Sequence, residues 1–470
     1  MSLHNTALVV FSRVIDARIF TGNMNTRKSL AILGGGPAGL CVHYVGRLLD
    51  LDRVLFEATD SLGGNCSTVS FGDWKFDTGA HRLHDKDVEV TKWARELLGP
   101  ELQEISAPSQ IFRDGRFTDF PLSPLNLLIS LGVVNFVRAC FQVLTSRLKK
   151  ADVSSFQSFA IHQYGELVAT RFLLEYSEKL WGIPASELSP LVAGSRLKGL
   201  DLKTFVLESF RGKSKKTKHL DGAFYYPKQG IGQIFDCIVQ QLPSDEVKLQ
   251  ARVTKIRHNG TRISAIEINH DEWHQVDEVV SSLPLSVLIR NLDPPAPPHV
   301  TEAISSIQFR HVVLLMFCLN RERVNGNASM YFPSKDDPFT RVYEPRNRSH
   351  HMSPKGMTSL AAEVPTHSLS FDDDFLHALM KNVEEKLISC GFFEPHEVLD
   401  RHVKLLPNAY PVLTLEHDKH AEVALNYLKT LTNLHVTGRN GLVQYTHIHD
   451  HMRNAMDWLE SKSGEFNAKS

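Results

Sequence analysis

The stretch from Ser29 to Gly64 constrains this chain most. It reads as an apolar strand (Leu30-Ala31-Ile32-Leu33), a glycine turn (Gly34-Gly35-Gly36-Pro37-Ala38-Gly39), a helix, a second strand (Val54-Leu55-Phe56) closed by Glu57, and the pair Gly63-Gly64. In such a unit Gly34 permits the tight turn, Gly36 lets the backbone approach a pyrophosphate, and Gly39 allows the helix to pack closely on the strand. Pro37 suits a first helical turn, where its missing N–H would have no partner anyway. The helix N-terminus presents free N–H groups and a partial positive charge to an anionic diphosphate. Glu57 can accept hydrogen bonds from both hydroxyls of an adenosine ribose, and its charge disfavours a 2′-phosphate. Strand, turn, helix, strand and acid in this order predict an α/β dinucleotide-binding domain of Rossmann type.

Length and charge narrow the class. With 470 residues, 42% of them hydrophobic, the chain has material for two or three domains and a sizeable core. A formal net charge of −1 supplies no field for nucleic acid. The six cysteines, Cys41, Cys66, Cys140, Cys237, Cys318 and Cys390, are dispersed and form no C-x-x-C pair. That pattern fits a reducing compartment, hence the cytoplasm, and argues against a zinc ribbon or a disulfide framework. Residues 1–28 read as a leader or a mis-assigned start. Their apolar run Ala7–Phe11 is short for a secretory signal, and Met24 stands six residues ahead of Leu30.

Further along, Phe156, Phe159, Tyr164, Leu167 and Phe172 recur at helical spacing within 151–182. Between 248 and 285, Val253, Ile256, Ile263, Ile266 and Ile268 alternate around His258-Asn259-Gly260, which predicts paired strands. An apolar strand is expected over 309–320, an amphipathic helix over 374–391, and a strand, turn and helix over 434–460. The dinucleotide domain is therefore expected to be discontinuous, with its last piece supplied by the C-terminus. The divisions are 29–110 and 226–300 for its first two parts, 111–225 for an inserted, mainly helical cap, 301–425 for a mixed β-sheet substrate domain, 426–460 for its final part, and 461–470 for a tail.

Three more glycine signals follow the first: Leu62-Gly63-Gly64-Asn65, Thr78-Gly79-Ala80-His81 and Val436-Thr437-Gly438-Arg439. Paired glycines let the main chain pass close to a ligand, and the last signal again precedes a predicted helix. A nicotinamide dehydrogenase needs only the first fingerprint, so four of them point to a longer cofactor, FAD. With the segments Tyr176-Ser177-Glu178-Lys179-Leu180-Trp181-Gly182, Tyr226-Pro227, Tyr410-Pro411-Val412 and Gly438-Arg439, the chain resembles the flavoenzyme superfamily of protoporphyrinogen oxidases, amine oxidases and UDP-galactopyranose mutases over residues 28–460. Within it the chain is most similar to the mutases, through its G-G-N, its histidine segment, its Y-x-x-K-x-W and its Y-P-V ahead of the final G-R turn.

The resemblance implies residue roles. Gly34, Gly36, Gly39, Glu57, Gly63, Gly64, Asn65, Val253, Gly438 and Arg439 would hold FAD. His81 would stand beside the isoalloxazine ring, Tyr410 near a sugar diphosphate, and Arg310 on that diphosphate, making these three the catalytic set. Tyr176, Trp181 and Arg196 would bind substrate, the tyrosine by stacking on uracil. The departures count against a standard mutase reaction: where the mutases carry R-x-P-x-R, this chain has Arg196-Leu197-Lys198-Gly199-Leu200, which lacks the second arginine. His449 stands where relatives tend to have aspartate, with Asp450 one position later.

Simpler readings stand beside these. Tyr176 and Trp181 also fit as core aromatics, His81 and His84 as satisfied loop histidines, and Arg439 as a structural pair. His447, His449 and His451 have the alternation of a metal triplet on a strand, but fall where the family has a turn and helix start, so no metal is expected. The basic run Arg211–Lys218 reads as a solvated loop or a lid over an anionic substrate. Phe120–Val137 has no charged residue, and Arg138, Arg147, Lys149 and Lys150 follow. Its prolines and asparagines argue against a spanning helix. It reads as a helix packed on its neighbours or, through 120–148, as a peripheral membrane contact. The expected function is that of an FAD-dependent enzyme on a nucleotide sugar or related glycoconjugate precursor, by net oxidation or by isomerisation. The alternative is an amine oxidase-like or protoporphyrinogen oxidase-like oxidoreductase of a small apolar substrate.

Overall fold

A computed structural model of the protein describes residues 27–120, 122–148, 151–196 and 223–467. Lys28, within the expected leader, opens the first strand, whereas residues 1–26 of that leader, Leu200 and the run Arg211–Lys218 lie outside the described residues. So does the side chain of Arg196, at the end of the short helix Pro190–Arg196.

A parallel five-stranded sheet forms the base of the molecule, in the order Leu434–Val436, Glu278–Ser281, Lys28–Leu33, Leu51–Phe56, Val247–Lys248. Lys28–Leu33 lies at its centre, with Ile32 in register with Leu55 on one side and Val280 on the other. Its four apolar residues are consecutive because a central parallel strand is covered on both faces. Leu30 and Ile32 face the helices Pro37–Gly46 and Ile448–Asn467, while Ala31 and Leu33 face a four-stranded mixed layer and the helix His417–Leu428. That layer contains the expected hairpin, Val253–His258 against Ile263–Ile268.

The second domain is a seven-stranded sheet in the order Val398–Pro411, Phe309–Leu319, Thr358–Thr366, Arg341–Tyr343, Ser329–Tyr331, Ser109–Arg113, Arg116–Phe120. Phe309–Leu319 is again apolar from Val312 onward. Val313, Leu315 and Phe317 pack on the helix Asp373–Ser389, and Val312, Leu314 and Met316 pack beneath Phe76 and Tyr343. The helix Asp373–Ser389 begins where the Asp372 carboxylate accepts the Phe375 N–H at 2.7 Å.

Two expectations shift. The hairpin 109–120 completes the seven-stranded sheet, so the helical region begins only at Pro124, not at 111. The terminal helix continues to Asn467 through most of the expected tail. The helices Pro124–Arg147, Phe156–Tyr164 and Glu175–Trp181, with a π-helical stretch at Ala169–Leu174, pack on one another beside the seven-stranded sheet. Pro124–Arg147 packs Leu127, Leu131 and Ala139 inward but leaves its opposite face uncovered by the described residues. The packed-helix reading holds for one side of it only.

Candidate active site

The first glycine turn has the geometry that a cofactor cradle requires. Gly34 has φ +100° and would place a Cβ 2.6 Å from Ser282 Oγ. A Cβ on Gly39 would lie 2.0 Å from the Gly34 carbonyl oxygen, so strand and helix approach this closely only through glycine. At Gly36 an added Cβ meets nothing within 4 Å, which leaves the space in front of the helix N-terminus open. The Glu57 carboxylate closes the turn, accepting the N–H of Gly35 at 2.7 Å and of Thr59 at 2.9 Å. Gly63 donates to the Gly35 carbonyl at 2.9 Å, which brings the second glycine pair onto the first turn. Gly438 lies against Ala38 and Ser282. Val253 is buried with Phe56, Ala31 and Ala251 behind Glu57, whose carbonyl accepts the Ala251 N–H at 2.7 Å. The open wall at Gly36, the N-terminus of Pro37–Gly46 behind it and an acid at the strand end fit a dinucleotide.

His81 follows this cradle at the end of the strand Trp74–Asp77. Its Nε2–H donates to the Asn65 carbonyl at 2.7 Å, which assigns the tautomer. Burial, with the cations Arg439 and Arg341 nearby, pushes its pKa down to about 3, so the imidazole is neutral. Beneath it lies a buried polar knot. The Asp77 carboxylate accepts from Thr68 Oγ1 at 2.8 Å, the Ile231 N–H at 2.9 Å and the Tyr226 hydroxyl, with Arg348 Nη1 at 3.8 Å. Burial raises the Asp77 pKa, opposed by Arg348 and these donors. Tyr343 donates to the Asp77 carbonyl at 2.6 Å, so both domains hold the segment that carries His81.

Opposite stands a wall of aromatic rings. Trp181 meets Tyr410 edge to face at 5.9 Å, Tyr410 stacks on Tyr445 at 6.0 Å, and Tyr176 meets Tyr331 at 5.9 Å. The expected residues Tyr176, Trp181, Tyr410 and Arg439 therefore converge. Arg439 lies over Tyr410 and Tyr445 at 5.7 and 5.1 Å and donates to the carbonyls of Ala409 and Thr446, so it fixes both loops while its charge faces His81. Lys179 also has a structural task. Its Nζ donates to the carbonyls of Phe332, Ser334 and Asp337 at 2.7, 2.6 and 3.2 Å, and burial brings its pKa down to about 8.

Arg310 Nε and Nη2 donate to the Leu180 and Lys179 carbonyls at 3.1 and 3.4 Å, capping the C-terminus of Glu175–Trp181. The arginine nearest Tyr410 is Arg341, with Nη2 3.5 Å from the hydroxyl, and the sequence reading missed it. Its partner is Glu363, whose Oε1 also accepts the Ala80 N–H at 3.1 Å. The available signal was a single charge in each of two strands, Arg341–Tyr343 and Thr358–Thr366. The histidine triplet divides: His447 and His449 stack at 5.5 Å, and His451 lies a turn further along the helix. Among the described residues no group of three or more His, Cys, Asp or Glu side chains could hold a metal ion.

Comparison with known proteins agrees with this geometry. The family model for flavin containing amine oxidoreductases matches residues 47–439. The mitochondrial protoporphyrinogen oxidase of Nicotiana tabacum is 24% identical over 275 residues, 53% of this chain and 54% of that enzyme, so the match spans about half of the relative's length. Protoporphyrinogen oxidase 2 of Arabidopsis thaliana is 23% identical over 66% of this chain and 68% of its own. The crystal structure of reduced UDP-galactopyranose mutase superposes with a TM-score of 0.80, covering 94% of each chain at 17% identity, and shares the fold. The chain belongs to the family of flavin containing amine oxidoreductases, with FAD as its cofactor.

Proposed function

We propose that this flavoenzyme acts on a nucleotide sugar or a related glycoconjugate precursor, in the cytoplasm, with the base held by the aromatic wall. The observation that carries this reading is Arg341, whose Nη2 lies 3.5 Å from the Tyr410 hydroxyl, together with the rings of Trp181, which meets Tyr410, and Tyr176, which meets Tyr331. A flat base needs a ring to stack on, and a diphosphate needs a cation next to that ring. When bound, FAD supplies either a hydride acceptor or, once reduced, a nucleophile. The chain's own residues orient the substrate and exclude water. His81 stays neutral with its Nε2 proton on Asn65, Tyr410 offers a hydroxyl, and Arg439 keeps the two ring-bearing loops together. Contact of 120–148 with a membrane belongs to the same reading and is supported by the uncovered apolar side of that helix.

One observation favours the oxidase alternative. Glu363 offsets the charge of Arg341, and Arg310 is engaged at a helix end, so an anionic substrate has a weaker clamp than expected. An amine- or porphyrinogen-like apolar substrate would need none. Dithionite-reduced protein offered UDP-galactopyranose without oxygen, assayed for the furanose, and oxidised protein offered amines or a porphyrinogen, assayed for peroxide, separate the two. UDP-sugar binding with weak or absent ring contraction is the expected result, given Leu200. Peroxide formation without any UDP-sugar binding overturns it.

A further inference from the structure

The helix Pro124–Arg147 is attached to the protein along one side only. Leu127, Leu131 and Ala139 pack against Ile111, Val168 and Phe172. The other side carries Leu125, Ile129, Val133, Val134, Val137, Phe141 and Leu144, continued by Leu148, and these side chains are 58 to 88% exposed. On either side of Gly132 successive members lie three or four residues apart, apart from the adjacent Val133 and Val134, so each half carries an exposed apolar stripe. Gly132, with φ 74° and ψ 164°, interrupts the helix but leaves both halves facing outward. An apolar surface this continuous marks an interaction site.

Charge identifies the occupant. From Phe120 to Ala151 the sequence has four basic residues, Arg138, Arg147, Lys149 and Lys150, and no acidic one. Arg138 is exposed within the stripe itself. An apolar face that carries Arg138, in a segment whose sequence adds three more cations and no acid, complements a bilayer surface of anionic lipid, where the apolar side chains enter the acyl boundary. A second copy seated on this face would set four cations against four. By length and composition the helix could cross a membrane, but with its inner side fixed to protein it cannot be surrounded by lipid along its length.

We infer that the face from Leu125 to Leu148 lies in the interface of an anionic bilayer, with the helix axis along the membrane surface. This rests on the membrane contact in the proposed function and adds its face, its orientation and the charge of the lipid. It also sets the candidate site close to the bilayer. Phe120, at the foot of the helix, lies 5.5 Å from Tyr331, and Tyr331 lies 5.9 Å from Tyr176.

The test uses the full chain with FAD bound and sedimentation with vesicles of phosphatidylcholine alone or mixed with phosphatidylserine. Binding to the mixed vesicles is expected to be at least about tenfold tighter and to weaken with salt. Val134→Glu with Phe141→Glu should abolish it, and Arg138→Glu should reduce it, with flavin content and melting temperature unchanged. A polarity-sensitive dye on the exposed Cys140 should report an apolar environment with the mixed vesicles in the otherwise native chain, which keeps the test independent of the variants' folding. Equal binding to both vesicles overturns the anionic inference and leaves the membrane contact standing, whereas no binding to either overturns both. Binding that survives the paired glutamates overturns the assigned face. A dimer abolished by those glutamates, without vesicle binding, gives the face to a second copy and overturns the inference.

Discussion

Arg341 holds Glu363 with two of its nitrogens: Nε donates to Oε2 at 3.0 Å, and Nη2 reaches Oε1 and Oε2 at 2.7 and 2.6 Å. Both side chains are buried, and Oε1 also anchors Ala80 next to His81. The pair therefore links the substrate sheet to the segment beside the flavin site. Removing one partner strands the other charge, so Arg341→Ala should destabilise the fold by about 3–5 kcal/mol. Replacing both, as Arg341→Met with Glu363→Leu, should recover most of that stability but not the affinity for an anionic substrate. Denaturant midpoints and ligand titrations of the three proteins check this. A double variant less stable than Arg341→Ala would contradict it.

The cofactor cradle predicts a contrast between two glycines. The wild-type protein should purify yellow, with about one FAD per chain from its single fingerprint. Gly36→Val should lose flavin and still fold, because its first added carbon meets open space. Gly39→Val should fail to fold, because that carbon lies 2.0 Å from the Gly34 oxygen. Flavin absorbance and melting curves separate the outcomes, and a yellow Gly36→Val protein would contradict the assignment.

Buried neutral histidines set the acid limb of stability. Burial is the first cause of depression at His43, His81 and His451, which are brought to about 4, about 3 and about 3. Each takes up a proton on unfolding once the pH drops below its unfolded value of about 6.5. Their stabilisation is complete above that pH and is lost progressively as pH falls toward 4 and 3. Asp77, raised by burial, acts in the opposite sense. The melting temperature should be level from pH 8 to 7 and decline from 6.5 to 5. The decline should be shallower in His43→Gln, which removes one of these sites; an equally steep decline there would contradict the account.

The cofactor domain was legible because each of its steps has a local cause: an uninterrupted apolar run for a strand covered on both faces, glycines where backbone meets backbone, and an acid at a strand end. The aromatic half of the site was legible through Tyr176, Trp181 and Tyr410, whose spacing fixes them on one helix flank and one strand end. Arg341 and Glu363 were not, since their pairing depends on two strands that meet only in the folded sheet. The partners of Arg310 were hidden for the same reason: the carbonyls of Lys179 and Leu180 lie about 130 residues away. The outward side of Pro124–Arg147 was equally hidden, because an apolar helix gives the same sequence signal whether it is covered on one side or on both.

The central claim, a nucleotide sugar held against the aromatic wall beside the flavin, is tested most directly by titrating the yellow protein with UDP-galactopyranose while following the flavin spectrum, in wild type and in Tyr176→Ala. Stacking on a base is worth about 1–3 kcal/mol by alanine substitution in single-stranded nucleic-acid binders. On that scale the account predicts saturable binding in the wild type, weakened roughly ten- to a hundredfold by Tyr176→Ala with FAD fully retained. No spectral response to any UDP-sugar, or equal affinity in the two proteins, would contradict it.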